Sequence, residues 1–349
     1  MPSLSEPLQY IAIFGTFATW FTALYQGWIN PGNVVRLILC VAALAMVLGI
    51  VQWLPTSWSH WFCSAYVYSD WQLSNCDAPF AFRRVPGAAH MATANGGLAA
   101  FFFIFALLTT IVLQRWRILC SVVMFLAIAN VIASQSRMGC VTIAFGLVLT
   151  YIVACHLRPK NSWRYTVILV SMVAVLAGLL AWQLESDNAV VLQMVYRWTT
   201  LSEQLRGGGN RLEQIFRGLS YLDSPYTFLF GISSEVRQNI SGFWIEIEPV
   251  EVLVLYGAVG WLLQYGMVLY LLIYFCKRLR TDLDSGTQVL IVTAFVCLLS
   301  YQVFSIAYYF FRDVFVGTLP WMTMGAAMGA AERGMTQNRC EDPVTFNIR

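Results

Sequence analysis

Residues 95–114 read NGGLAAFFFIFALLTTIVLQ, a run of twenty positions without a charged side chain. A helix of about 20 apolar residues spans the roughly 30 Å of hydrocarbon in a bilayer. Similar runs recur along the chain, and they are continuous rather than alternating, which excludes a membrane β-barrel. Because a helix satisfies its own backbone hydrogen bonds in lipid, these runs predict an all-α protein that crosses the membrane many times.

The composition of the chain agrees with this prediction. Of the 349 residues, 58% are hydrophobic and only 11% are charged, whereas soluble domains carry about a quarter charged residues. The apolar runs predict nine spans, at 8–29, 33–54, 95–114, 118–135, 139–155, 165–183, 250–275, 286–308 and 314–331. We therefore predict a polytopic helical membrane protein with about 9–11 transmembrane helices, forming one integral-membrane domain over 1–349.

Two long stretches separate the predicted spans, a first loop at 55–94 and a large loop at 184–249. Short connectors rich in Arg and Lys mark the cytoplasmic side. Such connectors lie at 115–117, 158–164 and 277–280, on one side if the nine spans alternate. Both long loops then face the periplasm, which predicts a multi-pass protein of the bacterial inner membrane.

The cysteines and the net charge limit the possible cofactors and partners. Cys63 and Cys76 lie thirteen positions apart in the first loop, where an oxidising periplasm permits a disulfide. Two unpaired thiols are the alternative. No cysteine shows metal-ligand spacing, so the sequence predicts neither a metal nor a cofactor. The formal charge of +3 is too small to indicate nucleic-acid binding.

Arginines are unusually frequent on the predicted periplasmic side. This group consists of Arg83, Arg84, Arg137, Arg197, Arg206, Arg211, Arg217, Arg237 and Arg312. Arg137 and Arg312 fall in tight hairpins at the membrane edge. Guanidinium groups bind phosphate or carboxylate through two parallel hydrogen bonds. Together they predict a site for a lipid phosphate or diphosphate, and the alternative is contact with headgroups combined with pairing to acids.

The acidic residues concentrate at the end of the large loop, where 244–251 reads WIEIEPVE. Glu248 and Glu251 fall at the start of a predicted helix, whose dipole favours an ionised carboxylate. A carboxylate there either acts as a general base on a sugar hydroxyl or caps the helix and pairs with arginines. The spans themselves hold almost no ionisable groups, which argues against an ion-coupled transporter.

Residues 210–222, NRLEQIFRGLSYL, carry an apolar stripe at helical spacing. The stripe consists of Leu212, Ile215, Phe216, Leu219 and Leu222. This pattern predicts a short amphipathic helix that lies at the membrane interface or packs on the helix bundle. In both cases Arg211 and Arg217 lie at headgroup level.

Four short motifs resemble the O-antigen polymerase and O-antigen ligase superfamily of bacterial surface-glycan enzymes. The first two motifs are Arg84-Val85-Pro86-Gly87 and Ser136-Arg137. The third is Asn210-Arg211, followed by the predicted amphipathic helix, Pro225 and Gly231. The fourth runs from Glu248 to Gly257-Ala258-Val259-Gly260. The resemblance covers roughly residues 80–275. Each motif is weak alone, and their order gives the resemblance its specificity.

The resemblance implies a metal-independent glycosyltransferase that polymerises undecaprenyl-diphosphate-linked oligosaccharide units. Arg84, Arg137, Arg211 and Arg217, with Arg312 beside them, would bind the diphosphate. Arg211 would also stabilise the leaving group, while Glu248 or else Glu251 would be the base. Expected partners are the lipid-linked oligosaccharide, membrane lipids and a chain-length regulator protein.

Two other functions remain open at this stage. The first is an O-antigen ligase that transfers the glycan to lipid A-core or to protein. Ligases of this superfamily carry a histidine at the loop-to-span junction, where this chain has acids, and the difference favours the polymerase. The second is a lipid-linked oligosaccharide transporter without catalysis.

Overall fold

The computed structural model describes residues 5–65, 67, 70–80, 82–157, 163, 166–167, 170, 189–200, 211–233, 236, 239–240, 245–279, 283–309 and 313–341. Within these ranges the regular structure is helical, and no strand occurs. The predicted all-α class is therefore confirmed for the described part of the chain.

The described helices have the following bounds. They are α1 Ser5–Tyr25, α2 Pro31–Trp53, α3 Ser57–Ser64, α4 Asp70–Asp77, α5 Ala92–Val112, α6 Arg117–Ser134, α7 Arg137–Leu157, α8 Ala189–Thr199, α9 Arg211–Ser220, α10 Pro225–Phe230, α11 Glu248–Arg278, α12 Ser285–Phe304 and α13 Val314–Glu341. Helices α3 and α4 fall in the first predicted loop, and α8, α9 and α10 fall in the large one.

Six of these helices, α2, α5, α6, α7, α11 and α12, are long and apolar enough to cross a membrane. The chain is therefore a polytopic helical membrane protein. Helices α1 and α13 coincide with the first and last predicted spans. The predicted span at 165–183 lies almost entirely outside the described residues, and the count of 9–11 spans stays a prediction.

Helix α5 forms the centre of the bundle. It packs against α6, α7 and α12, and nearly all of its side chains are buried. Small residues allow the close approach to α7, because a Cβ on Gly139 would lie 2.9 Å from the carbonyl oxygen of Gly96. Small residues at crossing points are typical of helix pairs in membranes. Helix α1 lies on the outside of the bundle, along α13.

The disulfide between Cys63 and Cys76 joins α3 to α4. One of the two alternatives for the first loop is thereby confirmed. Both sulfur-bearing residues are buried, so the bond lies inside the small unit that these two helices form beside the end of α2.

Helix α11 bends sharply at Gly257, whose φ of 65° and ψ of −172° are not helical. A helix rises about 1.5 Å per residue, so Glu248 and Gln264 lie about 13 Å and about 10 Å from the bend. Their side chains are nevertheless hydrogen bonded at 3.4 Å, which requires the two arms to meet at an acute angle. This bend corrects the predicted uninterrupted span at 250–275. The second arm, 258–278, is about 31 Å long and matches the bilayer by itself.

The first arm of α11 belongs instead to the folded part of the large loop. Together with α9 and α10 it encloses a small apolar core, which consists of Ile232, Ile245, Ile247, Val254 and Leu255. Gly218 of α9 allows the close packing, because a Cβ there would lie 2.9 to 3.2 Å from three of the surrounding side chains. We call α9, α10 and residues 248–256 the loop unit.

One end of the bundle brings together most of the candidate site residues, and we call it the arginine end. There the 83–91 segment, the hairpin between α6 and α7, the loop unit and the hairpin between α12 and α13 contact one another. For example, the Glu248 N–H donates to the Ser305 carbonyl at 2.9 Å.

Candidate functional site

The segment that carries Arg84 and His90 is anchored to the bundle by Gln52 of α2. The Gln52 amide donates to the Gly87 carbonyl at 2.9 Å and accepts from the Gly87 N–H at 2.8 Å. Gly87 has a φ of 61°, a value that glycine adopts without strain. The Val85 N–H also donates to the Ala133 carbonyl at 3.2 Å. The backbone between the two functional side chains is therefore fixed on both sides.

Arg84 and Arg137 meet at the hairpin between α6 and α7. The Arg84 Nε donates to the Ser134 carbonyl at 3.3 Å, and Arg137 begins α7 three residues later. Burial, followed by repulsion from Arg137, lowers the pKa of Arg84, while the Glu246 carboxylate acts in the opposite direction. Two guanidinium groups are thus held close together although they repel each other.

Arg211 of the loop unit completes this group. Its Nη2 lies 3.8 Å from Oε2 of Glu246, and it interacts electrostatically with Arg137. We call Arg84, Arg137, Arg211 and Glu246 the arginine cluster. In this cluster of described residues the arginines outnumber the carboxylate, and a group of positive charges of this kind attracts an anion. Three of the five arginines that the sequence predicted as diphosphate ligands therefore lie close together at the arginine end.

The other two predicted diphosphate ligands have different outcomes. Arg217 donates to Glu213 at 2.8 Å, one turn away on α9, and both side chains are about half exposed. This contact does not include the arginine cluster, and a role for Arg217 stays a prediction. Arg312 lies outside the described residues.

The two predicted bases, Glu248 and Glu251, are both buried, with 1% of each residue exposed. They lie in the first turn of α11, as the sequence predicted. The Glu248 Oε1 accepts from the Gln264 Nε2 at 3.4 Å. A carboxylate in this position is enclosed by the arms of α11 rather than presented on an open surface.

Glu248 lines a cavity of about 380 Å³ between α1, α11 and α13. The lining consists of Tyr10, Ile13, Phe14, Glu248, Tyr256, Gly260, Leu263, Gln264, Tyr265, Met267, Val268, Gln302 and Trp321. Apart from the tyrosine hydroxyls and the Trp321 indole N–H, the polar side-chain groups in this wall are one carboxylate and two amides. The cavity is therefore apolar along most of its length and polar at Glu248.

The arginine end contains a second set of polar side chains in contact with one another, which the sequence did not predict. The Tyr308 hydroxyl donates to Oδ2 of Asp313 at 2.6 Å and lies 3.1 Å from Nε2 of His90. The His90 Nδ1 is 3.4 Å from the same carboxylate oxygen. Burial, followed by the Asp313 charge, raises the pKa of Tyr308, and Glu248 adds to this effect. We call His90, Tyr308 and Asp313 the histidine cluster.

The histidine cluster lies beside the arginine cluster. His90 and Arg84 line one small cleft of about 20 Å³, together with Pro86 and Thr93. Sequence analysis gave His90 no role, and 218 positions separate it from Tyr308. No periodicity or motif links residues so far apart, so only the fold reveals this contact.

The apolar stripe of α9 is partly exposed and partly packed against the protein. Leu212, Phe216 and Leu219 of the apolar stripe are exposed, whereas Gln214 and Gly218 face the protein. The Gln214 side chain accepts from the Glu246 N–H at 2.9 Å. Ile215 of the same stripe packs against the small apolar core of the loop unit. Both alternatives for α9, the membrane interface and packing on the protein, therefore stay predictions.

Comparison with known proteins does not assign this chain to a family. No protein-family model matches the sequence, and no curated protein matches it either. Within the described ranges, no three His, Cys, Asp or Glu side chains gather as they would around a metal ion. The function is accordingly argued from the arginine end.

Proposed function

We propose that this protein is a membrane glycosyltransferase that polymerises undecaprenyl-diphosphate-linked oligosaccharide repeat units into an O-antigen or a similar surface polysaccharide. The reaction takes place on the periplasmic face of the bacterial inner membrane. The observation that carries the proposal is the convergence of Arg84, Arg137 and Arg211 near Glu246, two positions before the buried Glu248 that lines the apolar cavity.

The arginine cluster suits a diphosphate for electrostatic and geometric reasons. Each guanidinium can donate two parallel hydrogen bonds to phosphate oxygens. Arg84 is held against the Ser134 carbonyl and is partly buried, and lower local polarity strengthens its attraction for an anion. The Arg211–Glu246 pair is long, at 3.8 Å, so Arg211 can exchange this partner for a phosphate oxygen.

The apolar cavity supports a lipid-linked substrate rather than a free sugar nucleotide. Its wall is built largely from aromatic and aliphatic side chains of α1, α11 and α13. A hydrocarbon chain that extends from the membrane needs such a surface beside the site that binds its head group. Glu248 lies where this surface becomes polar.

In the proposed reaction, a hydroxyl of the acceptor glycan attacks the anomeric carbon of the donor. The proton of the hydroxyl passes to the Glu248 carboxylate, and Glu251 in the same helical turn is the second candidate base. The bond between the anomeric carbon and the diphosphate oxygen breaks, and undecaprenyl diphosphate leaves with the bonding electrons. The arginine cluster stabilises the negative charge that develops on this leaving group.

The test uses the purified full-length protein in nanodiscs with a synthetic undecaprenyl-diphosphate-linked repeat unit. The expected product is a ladder of longer glycans on the carrier. Arg137→Ala and Arg211→Ala should each abolish the ladder, and lysine at either position should restore little of it, because the planar fork is lost. Glu248→Gln should also abolish it.

The matched control is Arg117→Ala, which removes an exposed arginine at the opposite end of α6. This variant should extend chains as the wild type does. Full chain extension by both cluster variants would refute the diphosphate site. Transfer of glycan to lipid A-core without a ladder would instead identify a ligase, and movement of the substrate without a new glycosidic bond would identify a transporter.

A further inference from the structure

We propose that an exposed apolar surface on α9 and α10 inserts into the lipid bilayer, in the leaflet on the side of the arginine end. It is a membrane contact separate from the spans, and it holds Arg211 at the level of the lipid phosphates. The insertion follows from the exposure of the side chains and from the path of the backbone. Only its consequence for a substrate rests on the proposed function.

The surface is made of large apolar side chains that the protein leaves 43% to 71% exposed. We call it the docking surface, and it consists of Leu212, Phe216 and Leu219 of α9 with Tyr226, Phe228, Leu229 and Phe230 of α10. Proteins that are surrounded by water rarely expose apolar side chains at such density, and where they do, the patch marks a partner or a membrane. The docking surface therefore needs an occupant.

The exposed part of α9 is divided into an apolar row and a polar row. Residues of the apolar row recur at intervals of four and three and therefore lie along one line of the helix. The polar row contains Arg217, which pairs with Glu213 at 2.8 Å, whereas Gln214 and Gly218 face the protein. A helix in water would place most of its large apolar residues against the protein, so this arrangement indicates that the apolar row contacts lipid.

The depth of α10 is fixed by its contact with α11. A Cβ on Gly257 would overlap the backbone of Leu229 and Phe230, and the Ile232 N–H donates to the Val254 carbonyl at 2.9 Å. The second arm of α11 begins directly after Gly257. Since this arm matches the thickness of the hydrocarbon by itself, its first residue lies at the edge of the hydrocarbon. The end of α10 therefore lies at the same edge.

Lipid, rather than another protein, is the occupant that the observations favour. Exposed apolar side chains begin again at Val259 of the second arm, so the docking surface continues along the chain into a membrane-spanning segment. Three of the four exposed apolar side chains of α10 are aromatic, and aromatic residues are typical of the boundary between hydrocarbon and headgroups. The Arg217–Glu213 pair balances charge in the polar row, so apolar burial rather than an anionic lipid drives the insertion.

The insertion has a consequence for the arginine cluster. Arg211 begins α9 and directly precedes Leu212 of the docking surface, so the depth of this surface sets the depth of Arg211. A diphosphate attached to a prenyl chain is confined to the headgroup level, whereas free pyrophosphate approaches from the water at any height. Under the proposed function, insertion therefore favours the lipid-linked substrate without changing the affinity of the cluster for free pyrophosphate.

The experiment places the photoreactive amino acid p-benzoylphenylalanine at single positions of the full-length protein in phosphatidylcholine nanodiscs, and mass spectrometry identifies the adducts. Probes at Phe216 and Phe230 should form lipid adducts, as should a probe at Phe125, an exposed side chain in the middle of the apolar helix α6. Ser220 is exposed on the polar row one turn after Phe216, and a probe at this matched position should form few. Adducts to a second copy of the chain at Phe216 and Phe230, or no adducts there while Phe125 reacts, would overturn the inference.

A matched pair of variants tests the consequence for the substrate. Phe216→Asp and Ser220→Asp add the same charge to the exposed part of α9, and only the first places it on the docking surface. Phe216→Asp should lose the lipid adducts of a probe at Phe230 and most of the chain extension, but it should bind pyrophosphate as the wild type does. Ser220→Asp should retain all three properties. Full chain extension by Phe216→Asp would show that the docking surface does not position Arg211.

Failure of the inference and failure of the proposed function give different results. If probes at Phe216 and Phe230 form lipid adducts but the wild type builds no glycan ladder, the insertion stands and the proposed function is wrong. If the wild type builds the ladder but these probes form no lipid adducts, the inference is wrong and the proposed function stands.

Discussion

Replacement of Gln52 by leucine should release the segment that carries Arg84 and His90. Gln52 is fully buried, and its amide is paired with both the N–H and the carbonyl of Gly87, at 2.8 and 2.9 Å. Leucine has a similar volume and cannot form either bond. The two backbone groups of Gly87, which is itself buried, would lose these partners without gaining water.

The expected size of the effect follows from this geometry. A buried polar group left unsatisfied costs about 1–3 kcal/mol, so the two groups together cost about 2–6 kcal/mol. The 83–91 segment lies at the surface end of the bundle, and a local opening avoids most of this cost. We therefore expect the segment to detach while the helices stay folded. An opening made easier by about 2 kcal/mol accelerates amide exchange roughly 30-fold.

Hydrogen exchange with mass spectrometry on peptides that cover 83–95 provides the measurement. Binding of farnesyl diphosphate, a short prenyl diphosphate, to the full-length protein in nanodiscs provides the functional readout. Gln52→Leu should exchange faster in this region and near Phe62, whose carbonyl also accepts from the Gln52 amide at 3.2 Å, and it should bind the probe more weakly. Gln9→Leu, which changes an exposed glutamine on α1, is the control and should resemble the wild type. Wild-type exchange at 83–95 in the Gln52 variant would show that this amide does not fix the segment, and the reasoning about the site's anchor would fail.

Two other structural features give direct predictions. Loss of the disulfide in the double variant Cys63→Ser/Cys76→Ser should cost about 3 kcal/mol for the unit of α3 and α4. The midpoint of thermal unfolding of the double variant should be lower than that of the wild type. A reductant should lower the wild-type midpoint but have no further effect on the variant. Gly257→Ala should loosen the loop unit, because the positive φ disfavours alanine and its Cβ would overlap the backbone of α10. Limited proteolysis should then cut the large loop faster, and an unchanged cleavage rate would contradict the close packing at the bend.

The sequence was sufficient for features that depend on local pattern. A span needs one run of apolar residues of sufficient length, so the run at 95–114 predicted α5 within a few residues of its bounds, Ala92–Val112. The position of Arg137 was also predictable, because the predicted spans 118–135 and 139–155 leave only three residues between them. A charged residue in such a short connection has to lie at the membrane edge. The two cysteines in the first loop were compatible with either outcome, and only their proximity in space established the disulfide.

Features that depend on distant partners were not accessible from the sequence. Gly257 lies in a continuous helical pattern, and its bend is specified by the backbone of α10 at Leu229 and Phe230, which packs directly against it. That packing also explains why Glu248 is buried, since the bend folds the first arm of α11 back toward Gln264. The contact between His90 and Asp313 likewise joins residues on segments far apart in the chain. Hydropathy and helical spacing carry no information about such pairs.

The repulsion within the arginine cluster explains why the arginine end is so firmly anchored. Arg84 loses hydration and is repelled by Arg137. Holding Arg84 in this position therefore has an electrostatic cost, which the bonds to Gly87 and Ser134 help to offset. Any anion with two or more negative charges relieves the repulsion, which means that charge alone cannot distinguish free pyrophosphate from a lipid diphosphate. Under the proposed function, selectivity for the lipid-linked form would come from the apolar cavity at Glu248, and we propose that a substrate binds tightly only when it occupies both regions.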